Sequence, residues 1–328
     1  MNKSLNYYQA KFSPKSKFNK MGLNVSRSHG IAPNKPILIL SVIELIERGQ
    51  IINNRIELTP ELIATFLKFY QDLGIDRSRE IGLPFFHLRS DGFWHFRAKA
   101  GFEFIESKQS QIKVRTIKSL SEAIHYAYLD EELFSLLSHR ETREFLKITL
   151  LQTWFPENSQ QILDSLQLDA FEELTNTLKV TGGKIYSKDE IEQEDEQKTI
   201  VRSAAFRKAI NSLYDYRCAF CGLQIFNRLD TIVDAAHIKP FSQFFDDRIG
   251  NGLSLCKNHH WAFDRFWFTI DDNYRIIVQN SLRETSPNGK SMRELHSRPI
   301  WLPTSKQYFP KQENLAWHRE AFYENCIS

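Results

Sequence analysis

The chain has 328 residues, 41% of them hydrophobic and 25% charged, with a formal net charge of +3, which is enough sequence for two or three domains with cores of their own. No run approaches the roughly 18 uninterrupted apolar residues of a membrane span, and the opening Met1-Asn-Lys-Ser-Leu-Asn lacks the apolar core of a signal peptide, so a cytoplasmic protein with no membrane partner is expected. The small total hides an uneven distribution, +9 over residues 1–120, −10 over 121–200 and +4 over 201–328, and a polyanion touching both ends is the simple reading.

Near the start, Tyr7-Tyr8-Gln-Ala-Lys11-Phe12 interleaves aromatic rings with lysine, a pattern that suits base stacking but suits a core equally well. Pro36 to Glu47 is apolar almost all round, opens with proline at an early helical position and stops at Gly49, which predicts a buried helix. Thr59-Pro60-Glu61 is a second start signal and Gly74 its stop. Leu83 to Phe96 reads as two short strands around a Ser90-Asp91-Gly92 turn, followed by helices over 121–137 and 141–154. Thr181-Gly-Gly-Lys184 and the acidic run Lys188 to Lys198 lack a sustained apolar stripe and read as a linker or a solvated helix. The expected class is α+β: a mixed N-terminal domain over 1–120, a helical segment over 121–180, an acidic linker over 181–200 and a C-terminal domain over 201–328.

Past that linker, Val201 to Tyr214 has apolar residues at helical spacing and feeds into Cys218-x-x-Cys221, which is answered by Cys256-x-x-His259. Two knuckles of that spacing present four soft ligands to one tetrahedral ion at about 2.0 to 2.3 Å, the pattern of a closed, structural zinc site. Three of the four cysteines go into it, in keeping with a reducing compartment, and Cys326 is left as a spare thiol. Between the knuckles, Asp234-Ala-Ala-His237-Ile-Lys-Pro240 reads as a strand ending at a proline, Asn251 to Cys256 as a turn and a second strand, and Lys257 to Arg265 as a short helix. Trp267 to Ile270 and Arg275 to Val278 flank Asp-Asp-Asn and read as a hairpin.

Ala236-His237-Ile238, Asn251-Gly252-Leu253 and Cys256-x-x-His259-His260 closely resemble the HNH nuclease family, over roughly residues 201–280. The resemblance implies a ββα-metal fold that cuts nucleic acid with one divalent cation, Mg or Mn. It makes His237 the general base, since a neutral imidazole can take a proton from water near neutral pH. Carried over from the last histidine of the family motif, His260 becomes a ligand of the catalytic ion, and Asn251 bridges the two strands and orients the site. Many members place an acid directly before the first histidine; Ala236 stands there, which leaves Asp234 and Asp264 as the carboxylates that could join the metal. Asp264 lies four residues after His260, on the same helical face. Lys239 is placed to reach a phosphate.

Ala32-Pro-Asn-Lys-Pro-Ile-Leu-Ile-Leu40, Leu83-Pro-Phe-Phe-His-Leu88 and Asp91-Gly-Phe-Trp94 are similar to the sulfur-binding domain of HNH restriction endonucleases that recognise phosphorothioate DNA. This implies an apolar wall from Pro84 and Phe85, a second segment at Lys35 and Pro36, and contacts from His87 and Arg89. A nonbridging sulfur is softer and less hydrated than oxygen and gains more from such a wall. Leu83 stands where an aromatic is common and His87 where a small residue would leave room, so another DNA modification, or plain DNA, stays open. Two further readings remain at this stage, a non-catalytic zinc-containing DNA-binding protein and an HNH enzyme of mobile elements or of RNA. A double-strand cut by one such centre calls for two protomers or two visits, which makes a homodimer one expectation.

Overall fold

The computed structural model describes residues 4–12, 25–26, 30–31, 33–73, 80–106, 116–165, 169–227, 230–285 and 289–327. Ala32 of the second motif and Gly74, the expected stop of the second helix, lie outside the described residues. The chain divides into two compact units, residues 1–172 with 196–201, and residues 173–195 with 202–328. Residues 121–172 therefore pack with the first unit, and 181–195 belong to the second.

The first unit contains α1 (Leu5–Phe12), the short antiparallel pair β1 (Val25–Ser26) and β2 (Gly30–Ile31), α2 (Asn34–Glu47), α3 (Pro60–Asp72), α4 (Gly82–His87), β3 (Trp94–Ala98), α5 (Ile117–Ala123), β4 (Ile124–Leu129), α6 (Glu131–Ser138), α7 (Arg140–Trp154) and α8 (Ser159–Ser165). As its composition predicts, α2 is buried without a break from Lys35 to Ile46. The charges it carries inward are paired: Lys35 Nζ meets Asp91 Oδ2 at 2.6 Å, and Glu44 Oε2 meets Lys147 Nζ at 3.3 Å. The helix α3 opens as its start signal requires, with Thr59 Oγ1 accepting the Leu62 amide at 3.3 Å and Pro60 in the first turn.

Two expectations are corrected here. Leu83 to Phe96 is no hairpin: α4 runs into a 3₁₀ turn over Leu88–Asp91, and Gly92, with φ of 84°, redirects the chain into β3. Phe85 and Phe86 are both buried, which successive positions of a half-exposed strand cannot achieve and a short core helix can. The strand β3 pairs instead with β4, antiparallel, Trp94 opposite Leu129. That strand sits inside the segment read as a helix over 121–137; Ile124-His-Tyr-Ala-Tyr-Leu129 is rich in aromatic and β-branched residues, which fit a pleated surface better than a helical one. The helix expected over 141–154 is present as α7.

Two helices, α9 (Ala170–Thr181) and α11 (Glu196–Leu213), run through the division between units. The second unit otherwise consists of α10 (Lys188–Glu192), β5 (Val233–His237), α12 (Phe241–Phe244), β6 (Gly252–Cys256), α13 (Lys257–Phe263), β7 (Phe268–Ile270), β8 (Ile276–Val278) and α14 (Gln312–Ile327). It is the predicted strand, strand and helix, preceded by α11, with β7 and β8 forming the predicted antiparallel hairpin. Phe206, Ile210, Leu253, Leu255, Phe263 and Phe268 are among its core residues.

The stretch before α11 is more than a tether. Ser187 and Glu190 form a reciprocal cap on α10. Just upstream, Ile249 N donates to Gly182 O at 2.9 Å, Asp247 N to Lys184 O at 3.0 Å, and Tyr186 N to Phe245 O at 2.8 Å. So close is the approach that a Cβ at Gly183, where φ is +76°, would lie 2.2 Å from Asp247 O. The Gly-Gly pair fixes the loop of residues 245–249, which returns toward β6.

Candidate active site and metal centre

The register of β5 on β6 sets the geometry of the centre. Val233 lies opposite Cys256 and His237 opposite Gly252, so one end of this two-stranded ribbon carries a cysteine of the predicted zinc set and the other the predicted base. Past His237 the pairing is continued by a side chain. Asn251 Oδ1 accepts the Lys239 amide at 2.9 Å, while its Nδ2 donates to Lys239 O at 3.0 Å and Asp246 O at 2.9 Å. Fully buried, its amide is saturated by backbone, which makes Asn251 the pin that ties the end of β5 to the returning loop.

His237 is partly exposed at that pinned end. Its Nε2 lies 2.7 Å from Oδ1 of Asp247, which is 1% exposed. The ring lies on Phe206 of α11, centroids 4.2 Å apart and planes 4° from parallel, and Phe241 closes another side at 5.6 Å. Arg202, from the same helix as Phe206, binds Oδ2 of Asp247.

One turn into α13, His260 Nε2 stands 3.6 Å from Asp264 Oδ2, the contact predicted by their spacing. Partial burial raises the Asp264 carboxyl against the attraction of His260, Arg265 and His237, so this acid lies in the field of both histidines. Asp234 is differently placed. Lys257 Nζ at 2.9 Å and Arg207 Nε at 3.3 Å hold it. Burial works to raise its pKa, but these cations keep it below the usual carboxylate value. Of the two acids left open by the sequence, Asp264 is the more exposed and the less committed, while Asp234 already has two partners.

Beyond the other end of β6, Cys218, Cys221, Cys256 and His259 bring their four ligand atoms within 4.8 Å of one another. Tetrahedral ligands on zinc stand roughly 3.5 to 3.8 Å apart by the usual bond lengths. His259 Nδ1 lies 3.7 Å from Cys218 Sγ and 3.0 Å from Cys256 Sγ, already near that spacing. Three of these groups are pulled in opposite directions. Contacts from Cys218 and Cys221 drive the Cys256 thiol far down, and contacts with Cys221 and Cys256 drive Cys218 far up. Burial lowers His259, yet Cys221 and Cys256 raise it to about 9. A dication relieves the conflict by taking the place of the protons, and three sulfurs with one imbalanced imidazole make a donor set that suits zinc with no open position. Cys326 is exposed, apart from this set.

The residues proposed to read DNA fall in two groups. Lys35 is tied to Asp91, and Pro36, Pro84 and Phe85 are buried in the first unit, so they shape its interior. His87 and Arg89 are half-buried, with the Arg89 guanidinium 4.0 Å from the Phe86 ring and its Nη1 donating to Ile105 O at 3.1 Å. Phe85 also lines a cavity of about 350 Å³ together with Ile56, Thr59, Lys99, His125 and Tyr126. In the second unit, Lys239 Nζ lies 5.4 Å from the Phe244 ring. Sequence reasoning missed Phe206, Arg202 and Asp247. Asp246-Asp247, five and four residues before Asn251, was the available signal for the last of these, because the loop bearing it must return across β5 to pair Asn251 with Lys239.

Residues 218–271 match the family model described as HNH endonuclease. No curated protein matches the chain. Among solved structures, a "Modification dependent TagI restriction endonuclease" matches at 21% sequence identity and a TM-score of 0.29, covering 42% of this chain and 44% of that one. The chain thus spans less than half the length of that protein.

Proposed function

We propose that the chain, whose residues 218–271 match the HNH endonuclease model, is a divalent-metal-dependent DNA endonuclease, probing modified DNA with its first unit and hydrolysing phosphodiester bonds with its second. The observation that carries the reading is the placement of His237, which a purely structural zinc module does not need: it is pinned by Asn251, partly open, and within the electrostatic reach of Asp264 and hence of His260.

In this reading His237 accepts a proton from the attacking water, and the flat contact with Phe206 keeps its ring from turning away. His260 and Asp264 hold the catalytic ion, Mg or Mn, with Asp234 as the alternative acid; when bound, that ion offsets charge on the scissile phosphate and the leaving oxygen. Zinc on Cys218, Cys221, Cys256 and His259 holds the ribbon and α13 together, and so fixes where His260 points. Lys239 is proposed to touch a phosphate near the strand end. A functional homodimer is proposed for double-strand cleavage.

For the first unit, phosphorothioate is the first candidate modification. Support comes from the +9 balance of residues 1–120, which supplies salt-sensitive phosphate affinity, and from the cavity beside Phe85, which offers an apolar wall next to Lys99 and Tyr126. Lys35, Pro36 and Pro84 take part by holding α2 and α4 in place, whereas His87 and Arg89 are near enough to the surface to contact DNA.

The test uses the full chain with Mg²⁺ or Mn²⁺ and plasmids from hosts with and without phosphorothioate modification. Cleavage confined to modified plasmid is expected, and the His237→Ala chain should bind phosphorothioate duplex more tightly than its oxygen counterpart at every salt concentration. Equal binding and equal cleavage would remove the sulfur reading and leave the nuclease. Failure to cut any DNA with either cation would remove both.

A further inference from the structure

Behind His237 lies a chain of charged groups that the nuclease reading does not use. Asp247 Oδ1 is 2.7 Å from His237 Nε2, its other oxygen is bound by Arg202 Nη1, and Arg202 Nε is held by Glu194 at 3.1 and 3.0 Å to its two oxygens. Asp247 is 1% exposed, and the side chains of Arg202 and Glu194 are 14% and 13% exposed. The guanidinium also lies 4.2 Å from the Phe241 ring and 5.2 Å from Tyr186. One buried and two largely covered charges in line are costly to desolvate, and a fold that only needed stability could fill the space with apolar side chains.

We propose that Asp247 is the positioning residue of the catalytic histidine, and that Arg202 and Glu194 hold it in that role. This rests on the reading of His237 as the general base. A carboxylate paired with arginine can only accept hydrogen bonds, so its partner nitrogen Nε2 carries the proton and the Nδ1 lone pair is left to face the water. When Nδ1 takes the proton, the ring becomes an imidazolium and Asp247 stabilises the new charge, without itself being protonated. Arg202 is the cation paired with the buried carboxylate; burial works to lower the arginine pKa, but Asp247 and Glu194 outweigh it and raise it. Glu194 follows Gly182, Lys184 and Tyr186, which bond to the 245–249 loop, so this stretch of the second unit supports the same loop that carries Asp247.

The experiment measures single-turnover cleavage of the plasmid that the unaltered chain cuts, with saturating Mn²⁺, for Asp247→Asn, Asp247→Glu and Glu194→Gln, alongside zinc content and melting temperature. Asp247→Asn should lower the rate on the order of 10- to 100-fold, with DNA affinity unchanged. The acidic limb of its pH profile should move to lower pH, because the imidazolium loses its carboxylate. Asp247→Glu should recover part of the rate, and Glu194→Gln should cost a smaller factor with the same unchanged affinity. A purely structural role would lower melting temperature and zinc content and leave the limb in place. Wild-type rates in Asp247→Asn overturn the proposal, as do wild-type rates in Glu194→Gln should Asp247→Asn not fold. If His237→Ala also cuts normally, the failure belongs to the assignment of the base; if it is dead while Asp247→Asn is normal, it belongs to this inference alone.

Discussion

The imidazole of His237 lies flat against the ring of Phe206, 4.2 Å between centroids, and Gly252 faces His237 across the ribbon with Ile210 and Phe206 packed over it. A Cβ at Gly252 would come within 2.4 Å of Ile210 Cδ1 and 3.1 Å of Phe206 Cζ. The glycine lets α11 press an aromatic face onto His237, the proposed base. Gly252→Ala is expected to destabilise the second unit by about 1 to 3 kcal/mol through overpacking, and to lower cleavage by more than the loss of folded protein explains. Phe206→Leu, which keeps an apolar side chain but loses the flat face, should cost rate ahead of stability. Urea unfolding and cleavage measured on the same preparations decide this; rates that track stability alone would show that the stack is packing only.

Replacing the two site histidines should produce different defects. His237→Ala removes the proposed proton acceptor, so cleavage should fall by roughly 100- to 10,000-fold with zinc content, melting temperature and DNA affinity retained. His260→Ala removes a neighbour of Asp264 and a proposed ligand, so the apparent affinity for Mn²⁺ should weaken together with the rate. Cation titrations of both variants distinguish the roles. Identical Mn²⁺ midpoints in wild type and His260→Ala would take His260 out of the metal site.

What was legible in the sequence follows from what is local. The two knuckles, the strand before Pro240, Asn251 and the spacing of His260 to Asp264 are set by neighbours a few residues apart, and the structure brings them together in the expected ββα unit. Asp247 was hidden because its importance depends on where a 13-residue return between His237 and Asn251 passes, and the Asp246-Asp247 pair marks a place on that return without showing what it meets. Phe206 was hidden for the same reason, as one apolar position among several on α11. In the first unit, Phe85-Phe86 misled because a two-residue aromatic run reads as strand, and Ile124 to Leu129 because its flanks are helical; there β3 and β4 are partners about thirty residues apart, which no local signal specifies.

The metal set predicts its own assay. One tightly held zinc per chain is expected, and Cys218→Ala or Cys256→Ala should unfold the second unit as well as inactivate it, because Cys218 precedes the ribbon and Cys256 ends β6 and begins α13. Removal of zinc by a strong chelator should reproduce the defect, and added zinc should reverse it. Elemental analysis well below one zinc per chain, in protein purified without chelators, would refute the assignment.

His318 supplies a pH test of the scaffold behind His260. Its ring stacks on Phe263 at 3.8 Å and 2°, its Nε2 donates to Phe263 O at 3.2 Å, and Thr269 Oγ1 donates to its Nδ1 at 2.9 Å. It is 2% exposed, and burial pulls its pKa down to about 4. The folded value thus lies below that of the unfolded chain, about 6.5, so the fold favours the neutral ring. That contribution is complete above about pH 6.5 and is lost as pH falls toward about 4, a change on the order of 3 kcal/mol over the whole window. Protonation would also take away the lone pair that receives the Thr269 hydroxyl. His318→Gln should therefore be less stable than the unaltered chain at pH 7.5, and its stability should fall less steeply between pH 7.5 and 5.5. Acid would also weaken the proposed zinc site in both proteins, which makes the difference between their urea midpoints the quantity to read. Parallel pH profiles for the two would mean that His318 is not the titrating group.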